Sequence, residues 1–99
     1  MDVLDRLQRW FEENCNGEWE HGNGVRIETI DNPGWHVRIL LEDTDLETLE
    51  FSEVDERFRG ERDWVICQKK GPEFHGHGGA GNLKEILVIF LEWADASLS

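Results

Sequence analysis

Two alternating segments joined by a tight turn constrain the fold of this chain more than any other feature. Residues 25–30 alternate in strand fashion, and residues 35–41 follow after the turn sequence Asn32-Pro33-Gly34. Because proline fixes φ at the second turn position and glycine accepts positive φ at the third, the pattern predicts a type II turn. The second segment has one apolar and one mostly polar face, so we expect an antiparallel pair with one face buried.

Apolar residues at helical spacing predict a helix at each end of the chain. Asp2 is placed to cap the first helix, and Gly17 is placed to end it at positive φ. The predicted inner stripe of this helix consists of Val3, Leu4, Leu7, Trp10 and Phe11. The second helix begins with a predicted capping box, Asn82 with Glu85, and its broad apolar stripe predicts a central position in the core.

Three further segments between the helices indicate strands. Residues 47–53 fit a strand with Leu49 and Phe51 inward, residues 64–70 fit another, and residues 73–77 fit a short last one. The glycine-rich residues 76–81 are predicted to form a flexible connection into the second helix. A length of 99 residues fits one domain, so we predict a single α+β domain over residues 1–99. Its antiparallel sheet would have four to five strands, with both helices packed on one face.

Charge is the strongest global feature of the composition. The chain has 22 acidic and 10 basic residues, for a formal net charge of −12, and no basic residue lies between Arg38 and Arg57. Nucleic acids and acidic membrane surfaces are recognised through basic residues, so neither is an expected partner. A basic protein partner is favoured, because complementary fields accelerate association. The simpler alternative is that the acidic surface only keeps the protein soluble.

The sequence also favours a cytoplasmic location. No apolar run reaches the roughly 20 residues that a membrane span requires. The first residues lack the basic and apolar regions of a secretion signal. Cys15 and Cys67 fit the same compartment as reduced thiols, and a disulfide between them is the less favoured alternative.

A phosphate site and a metal site are two chemical alternatives. The glycine-rich residues 76–81 precede a helix and could hold a phosphate, but they lack the lysine and hydroxyl residues of a P-loop. Histidine and cysteine are preferred zinc ligands, and His75 and His77 would point to one side of a strand. The residues available for zinc are Cys15, His21, Cys67, His75 and His77. Their spacing matches no common zinc module, so we expect no metal and no cofactor.

Catalysis is a third alternative. Glu18, Glu20, His21 and Asp31 could supply acid–base groups, but nothing in the sequence identifies a concave site around them. Cys67 lies in an alternating strand with no helix start to lower its pKa, so it is not expected to be a nucleophile. We therefore expect a protein that is not an enzyme.

The five tryptophans divide into expected core residues and candidate contact residues. Trp10, Trp64 and Trp93 lie in periodic segments and are expected in the core. Trp19 and Trp35 flank the first strand at loop positions, where an aromatic residue either packs the loop onto the core or anchors a partner.

The order of motifs along the chain resembles the immunity protein 53 family of bacterial polymorphic toxin systems. The two specific blocks are Gly17-Glu18-Trp19-Glu20-His21 and Asp31-Asn32-Pro33-Gly34-Trp35. The likeness continues through Trp64, Cys67, Phe74, Gly76 and Phe90-Leu91-x-Trp93. The resemblance implies a cytoplasmic antidote that is encoded beside a toxin and that binds and blocks this toxin. It supplies no catalytic residues and does not identify the toxin.

Many toxins of such systems are nucleases, which tend to be basic, and this agrees with the acidic composition. Our hypothesis is that the acidic residues between 42 and 56, together with Glu18, Glu20 and Asp31, imitate a polyanion and plug a basic active-site cleft. The candidate contact residues are Glu18, Trp19, Glu20, His21, Asp31, Asn32, Trp35, Asp43, Asp45, Glu47 and Glu50. The alternatives are a small metal-binding or catalytic domain that uses the cysteine and histidine residues, and a general acidic protein-interaction domain.

Overall fold

A five-stranded antiparallel sheet carries two helices in the computed structural model, which describes residues 2–22 and 24–97. The helices and strands in chain order are α1 (Val3–Asn14), β1 (Val25–Ile30), β2 (Gly34–Leu40), β3 (Val54–Asp55), β4 (Val65–Lys70), β5 (Glu73–Gly79) and α2 (Leu83–Ala96). The strand order across the sheet is β1-β2-β5-β4-β3. The predicted α+β fold with a helix at each end of the chain is therefore confirmed. No helix among the described residues is both long and apolar enough to span a bilayer.

The core lies between the inner face of the sheet and α2. Val37, Ile39 and Phe74 of the sheet are fully buried, as is Phe90 of α2. The rings of Phe74 and Phe90 meet edge to face at 5.1 Å. Burial of each such side chain contributes about 1.5–3 kcal/mol, so this layer supplies most of the driving force for folding.

The first helix packs beside α2 and is capped as its sequence predicts. The carboxylate of Asp2 accepts a hydrogen bond from the backbone N–H of Asp5 at 2.9 Å. Leu7 is buried, and the Trp10 ring contacts Phe90 edge to face at 4.9 Å. Leu4, however, is 62% exposed, so the predicted stripe is wrong at this position.

Two predicted helix signals act differently from expectation. α1 ends at Asn14 with Cys15 as its extended C-cap, so Gly17, although its φ is +95°, lies beyond the helix end. The side chain of Asn82 makes no capping hydrogen bond to the start of α2. Its Nδ2 instead donates to the carboxylates of Asp63 at 2.9 Å and Glu85 at 3.0 Å, so the predicted capping box is wrong.

The hairpin is formed by the predicted strands, but its turn is not type II. Ile30 pairs with Gly34, and the Asn32–Pro33 peptide bond is cis. Gly34 does not have the positive φ that a type II turn requires and is already part of β2. A side chain there would collide with the carbonyl oxygen of Gly78 on β5, so close strand contact explains the glycine.

The glycine-rich segment is mostly a strand and not a flexible connection. β5 continues to Gly79, and Gly76 and Gly78 face α2 from the inner side of the sheet. A Cβ atom on Gly76 would collide with Cγ2 of Ile86, and one on Gly78 would lie 3.0 Å from Cδ1 of the same residue. These glycines are therefore required because α2 approaches the sheet closely.

The predicted strand over residues 47–53 is wrong. This segment is an irregular loop, and only Val54–Asp55 pairs with β4. Leu49 and Phe51 still pack against the core, and Phe51 contacts the Phe74 ring at 5.5 Å. The apolar alternation thus comes from a loop that turns alternate side chains inward. The loop backbone accepts hydrogen bonds from the side chains of Lys69 and Trp93 and does not pair with a neighbouring strand.

Candidate functional site

The loop between α1 and β1 is packed onto the core through Trp19. This residue is 5% exposed, and its ring lies 5.6 Å from Trp10 and 5.5 Å from Phe11. The structure therefore supports the first of the two roles expected for Trp19, which is to attach the loop to the core. A residue with so little exposed surface offers a partner only the edge that lines the cleft described below.

The neighbouring residues fix the shape of this loop. The Glu20 carboxylate accepts hydrogen bonds from the backbone N–H groups of Asn16 at 2.9 Å and Gly17 at 2.8 Å. The Asn16 side chain accepts from the N–H groups of Glu18 and Trp19, each at 2.9 Å. Backbone N–H donors, first that of Glu20 itself and then that of Asn16, hold the pKa of Glu20 below its ordinary value. Glu20 is thus a structural carboxylate, whereas Glu18 is exposed.

The loop before β1 and the loop after β2 meet at one end of the sheet. The N–H of Leu40 donates to the carbonyl oxygen of Gly24 at 2.8 Å, because the two strands are antiparallel. A cleft of about 260 Å³ lies between the two loops. Its lining residues are Glu18, Trp19, Gly22, Leu40, Glu42 and Asp43. The structure therefore brings three of the candidate contact residues, Glu18, Trp19 and Asp43, to one site.

We call residues 42–56 the acidic segment. Side chains of β4 and α2 hold the backbone of this segment in place. The Lys69 ammonium donates to the carbonyl oxygens of Glu47 at 2.6 Å and Leu49 at 2.8 Å, and the Trp93 indole N–H donates to that of Glu50 at 2.9 Å. Leu46 is 1% exposed and anchors the segment in the core. The acidic segment is therefore an ordered surface.

The carboxylates of the acidic segment face outward. Glu42, Asp43, Asp45, Glu47 and Glu50 are all exposed. Within residues 2–22 and 24–97, none of these five forms an ion pair with a basic side chain. Their negative charge is therefore available to a partner and is not neutralised within the described chain.

Three other candidate contact residues lie at the opposite end of the sheet. Asp31 and Asn32 are exposed in the β1–β2 turn, and Trp35 begins the inner face of β2. The Trp35 indole N–H donates to the carbonyl oxygen of Ala80 at 2.8 Å. Because β1 has six residues, this end lies about 20 Å from the cleft beside Glu18. The candidate contact residues therefore form two groups and not one.

A row of three histidines occupies the sheet face that the helices leave uncovered. His36 of β2 is paired with His77 of β5, and their rings stack at 4.2 Å with an angle of 6° between them. His36 Nε2 lies 3.2 Å from His75 Nδ1, and His75 Nε2 lies 3.0 Å from a Glu73 carboxylate oxygen. Burial first, and then the neighbouring imidazoles, lower the pKa of His36 and His77. Sequence reasoning placed His75 and His77 on one side but missed His36, since only strand register reveals that contact.

The five residues considered for zinc do not form one site. Cys67 is fully buried on the inner face of the sheet, whereas His75 and His77 lie on the outer face, and Cys15 is exposed beyond α1. Among the described residues there is no group of three or more histidine, cysteine or acidic side chains that could hold a metal ion. Burial raises the pKa of the Cys67 thiol to about 12, so it is not an activated nucleophile.

A family model described as Immunity protein 53 matches residues 4–95. No curated protein and no solved structure matches the chain.

Proposed function

The chain belongs to the immunity protein 53 family, and we propose that it protects the cell that makes it by binding a cognate bacterial toxin. The match covers nearly all of the described residues, including both loops of the cleft and the acidic segment. In this proposal the protein acts by occupying the toxin's surface. No bond is made or broken.

The ordered acidic segment is the observation that carries the proposed mechanism. Five of its carboxylates, those of Glu42, Asp43, Asp45, Glu47 and Glu50, are exposed and without basic partners in the described chain. Lys69 and Trp93 hold the backbone of the segment in place. A charged surface that is already ordered loses little conformational entropy when a partner binds. The complementary partner is a basic protein, and a nuclease-type toxin has such a surface around its active site. We therefore propose steric and electrostatic blocking of a basic cleft.

The proposed contact surface starts at the cleft and continues along the acidic segment. Its residues are Glu18, His21, Asp43, Asp45, Glu47 and Glu50. Glu20 supports this surface by fixing the loop that carries Glu18. Asp31, Asn32 and Trp35 form a second proposed contact at the other end of the sheet, which a large partner would reach at the same time.

The remaining features of the proposal follow from this mechanism. Blocking by surface complementarity requires no cofactor and no catalytic group. The acidic surface disfavours nucleic acid and anionic membranes as partners. We propose the cytoplasm as its location, since an antidote must meet its toxin where the toxin acts.

Protection and binding can be tested with the toxin domain encoded by the neighbouring gene. Expression of that domain alone should stop growth, and coexpression of this chain should restore it. A catalytically inactivated toxin domain should form a complex with the purified protein in titration calorimetry. Failure to bind and failure to restore growth would together contradict the proposed function.

A further inference from the structure

Phe58 is the most exposed large apolar residue in the described chain. Its exposed fraction is 93%, compared with 62% for Leu4 and 39% for Ile27. A phenylalanine in this state gives no burial energy to the fold, although full burial of such a side chain is worth about 1.5–3 kcal/mol. The contacts that fix the loop around Phe58 indicate a role for the exposed ring.

Ion pairs hold the loop on both sides of Phe58. Arg57 makes a two-point contact with Asp55 of β3, with Nε 2.9 Å from one carboxylate oxygen and an NH2 nitrogen 2.7 Å from the other. Arg59 makes a two-point contact with Glu85 of α2, at 2.7 and 2.8 Å, and also pairs with Asp63. Hydrogen bonding from Arg59 is the first cause that keeps the pKa of Asp63 and Glu85 below their ordinary values.

These contacts fix the position of the ring without covering it. The residues on each side of Phe58 are tied to different parts of the fold, one to the sheet edge and one to the first turn of α2. A side chain on a loop that is already ordered loses less entropy when it enters a partner's pocket. Exposed ion pairs of this kind contribute little to stability, so positioning is their main effect.

The charges around Phe58 indicate the kind of partner. Residues 56–63 contain three acidic and three basic side chains and are therefore neutral overall. They follow β3, the part of the acidic segment that forms the edge of the sheet. The nearest carboxylates of the acidic segment, Asp55 and Glu56, are paired with arginines, and the unpaired carboxylates lie earlier in the segment, between residues 42 and 50. A partner that covers both parts of this surface needs a basic area and, next to it, an apolar pocket.

We propose that Phe58 is the apolar anchor of the toxin interface and inserts into a pocket whose basic rim meets the acidic segment. This inference rests on the proposed function and adds to it the residue that holds the complex together. The charges would mainly set the rate of association, and the buried ring would mainly set the rate of dissociation.

The test compares Phe58→Ala with Leu4→Ala in binding to the inactivated toxin domain by surface plasmon resonance. We expect Phe58→Ala to weaken binding about 30-fold or more, mostly through faster dissociation, and Leu4→Ala to change it less than about threefold. Phe58→Leu should recover part of the loss, because it restores an apolar side chain. Circular dichroism of all three variants should match the wild-type spectrum.

Three results would overturn the inference. If the wild-type protein binds the toxin and Phe58→Ala binds it equally well, the proposed function stands and the anchor is wrong. If sedimentation velocity shows a wild-type dimer that Phe58→Ala dissociates, with toxin binding unchanged, the ring belongs to self-association. If the wild-type protein does not bind the toxin domain at all, both proposals fail.

Discussion

The ammonium of Lys69 donates a hydrogen bond to the carbonyl oxygen of Glu47 at 2.6 Å, across 22 positions of the sequence. A second bond at 2.8 Å reaches Leu49. A single basic side chain of β4 therefore fixes the backbone of a segment whose own side chains are acidic. The positive charge holds the carbonyl oxygens, and the carboxylates stay free at the surface.

Replacement of Lys69 by methionine should loosen the acidic segment. The variant keeps the apolar stem but removes both hydrogen bonds, and we expect the free energy of unfolding to fall by about 1–3 kcal/mol. Hydrogen exchange should become faster in residues 46–51. Lys70→Met is the control, because Lys70 is exposed and a surface change of this kind costs less than about 0.5 kcal/mol. Equal stability of the two variants in urea unfolding would contradict the assigned role of Lys69.

Trp19→Ala should damage the fold and not a contact surface. The residue is 5% exposed and contacts Trp10 and Phe11, so truncation should cost about 3–5 kcal/mol in urea unfolding. Phe58→Ala, which also truncates an aromatic residue, should change stability by less than about 0.5 kcal/mol. A Trp19→Ala protein of unchanged stability with weakened toxin binding would show that Trp19 is a contact residue after all.

Gly76→Ala should be destabilising because α2 lies too close for a side chain. The added Cβ would collide with Ile86, and overpacking of this kind costs about 1–3 kcal/mol. Gly81 offers a matched control, since no atom beyond Gly81 itself and its two chain neighbours lies within 4 Å of the position of its missing Cβ. Thermal unfolding of both variants measures the difference. A Gly76→Ala protein as stable as the wild type would mean that the helix can move away without cost.

The histidine row should make stability depend on pH in the weakly acidic range. The folded state disfavours protonated His36 and His77, whereas the unfolded chain takes up these protons near the ordinary pKa of 6.5. The free energy of unfolding should therefore decrease as the pH falls below about 6.5, because the unfolded state then binds more protons.

The double variant His36→Gln/His77→Gln tests this dependence. Its free energy of unfolding, measured in urea between about pH 7.5 and pH 5, should vary less steeply than that of the wild type. Glu28, Arg38 and Glu73, which interact electrostatically with His36, are the same in both proteins. Equal slopes, or a wild-type protein that becomes more stable on acidification, would contradict the depressed pKa values.

Local signals predicted the elements that local interactions decide. Residues 25–30 form a strand with the predicted bounds, and Asp2 caps α1, because alternation and capping depend on neighbouring residues. The prediction of a strand over residues 47–53 was wrong because it, too, rested only on the alternation of neighbouring residues. Alternation shows which side chains turn inward, but not whether the backbone bonds to a strand or, as here, to Lys69 and Trp93.

The site depended more on contacts that the sequence does not reveal. Glu18 and Asp43 meet because antiparallel pairing brings two loops to one sheet end, and His36 meets His77 because of strand register. The burial of Trp19 depends on the position of α1. The sequence pattern did not predict the exposure of Phe58. That exposure follows from ion pairs between the neighbouring arginines and Asp55, Asp63 and Glu85.

A matched pair of charge variants isolates the role of the acidic segment. The first variant combines Asp43→Asn, Asp45→Asn and Glu50→Gln, which leaves the carboxylate of Glu47 to accept the Asp43 N–H. Asn suits position 43, where φ is 64°. The control combines substitutions at three exposed carboxylates elsewhere, Glu12→Gln, Glu28→Gln and Glu92→Gln. Both variants lose the same charge.

The most direct test is the rate of association with the inactivated toxin domain, measured by stopped flow at several salt concentrations. For the wild-type protein, the account predicts a fall of about tenfold or more between about 20 mM and 0.5 M salt. The acidic-segment variant should associate more slowly than the control at low salt and show a weaker salt dependence. An association rate that ignores salt, or that both variants lower equally, would contradict the claim that the acidic segment recognises a basic toxin.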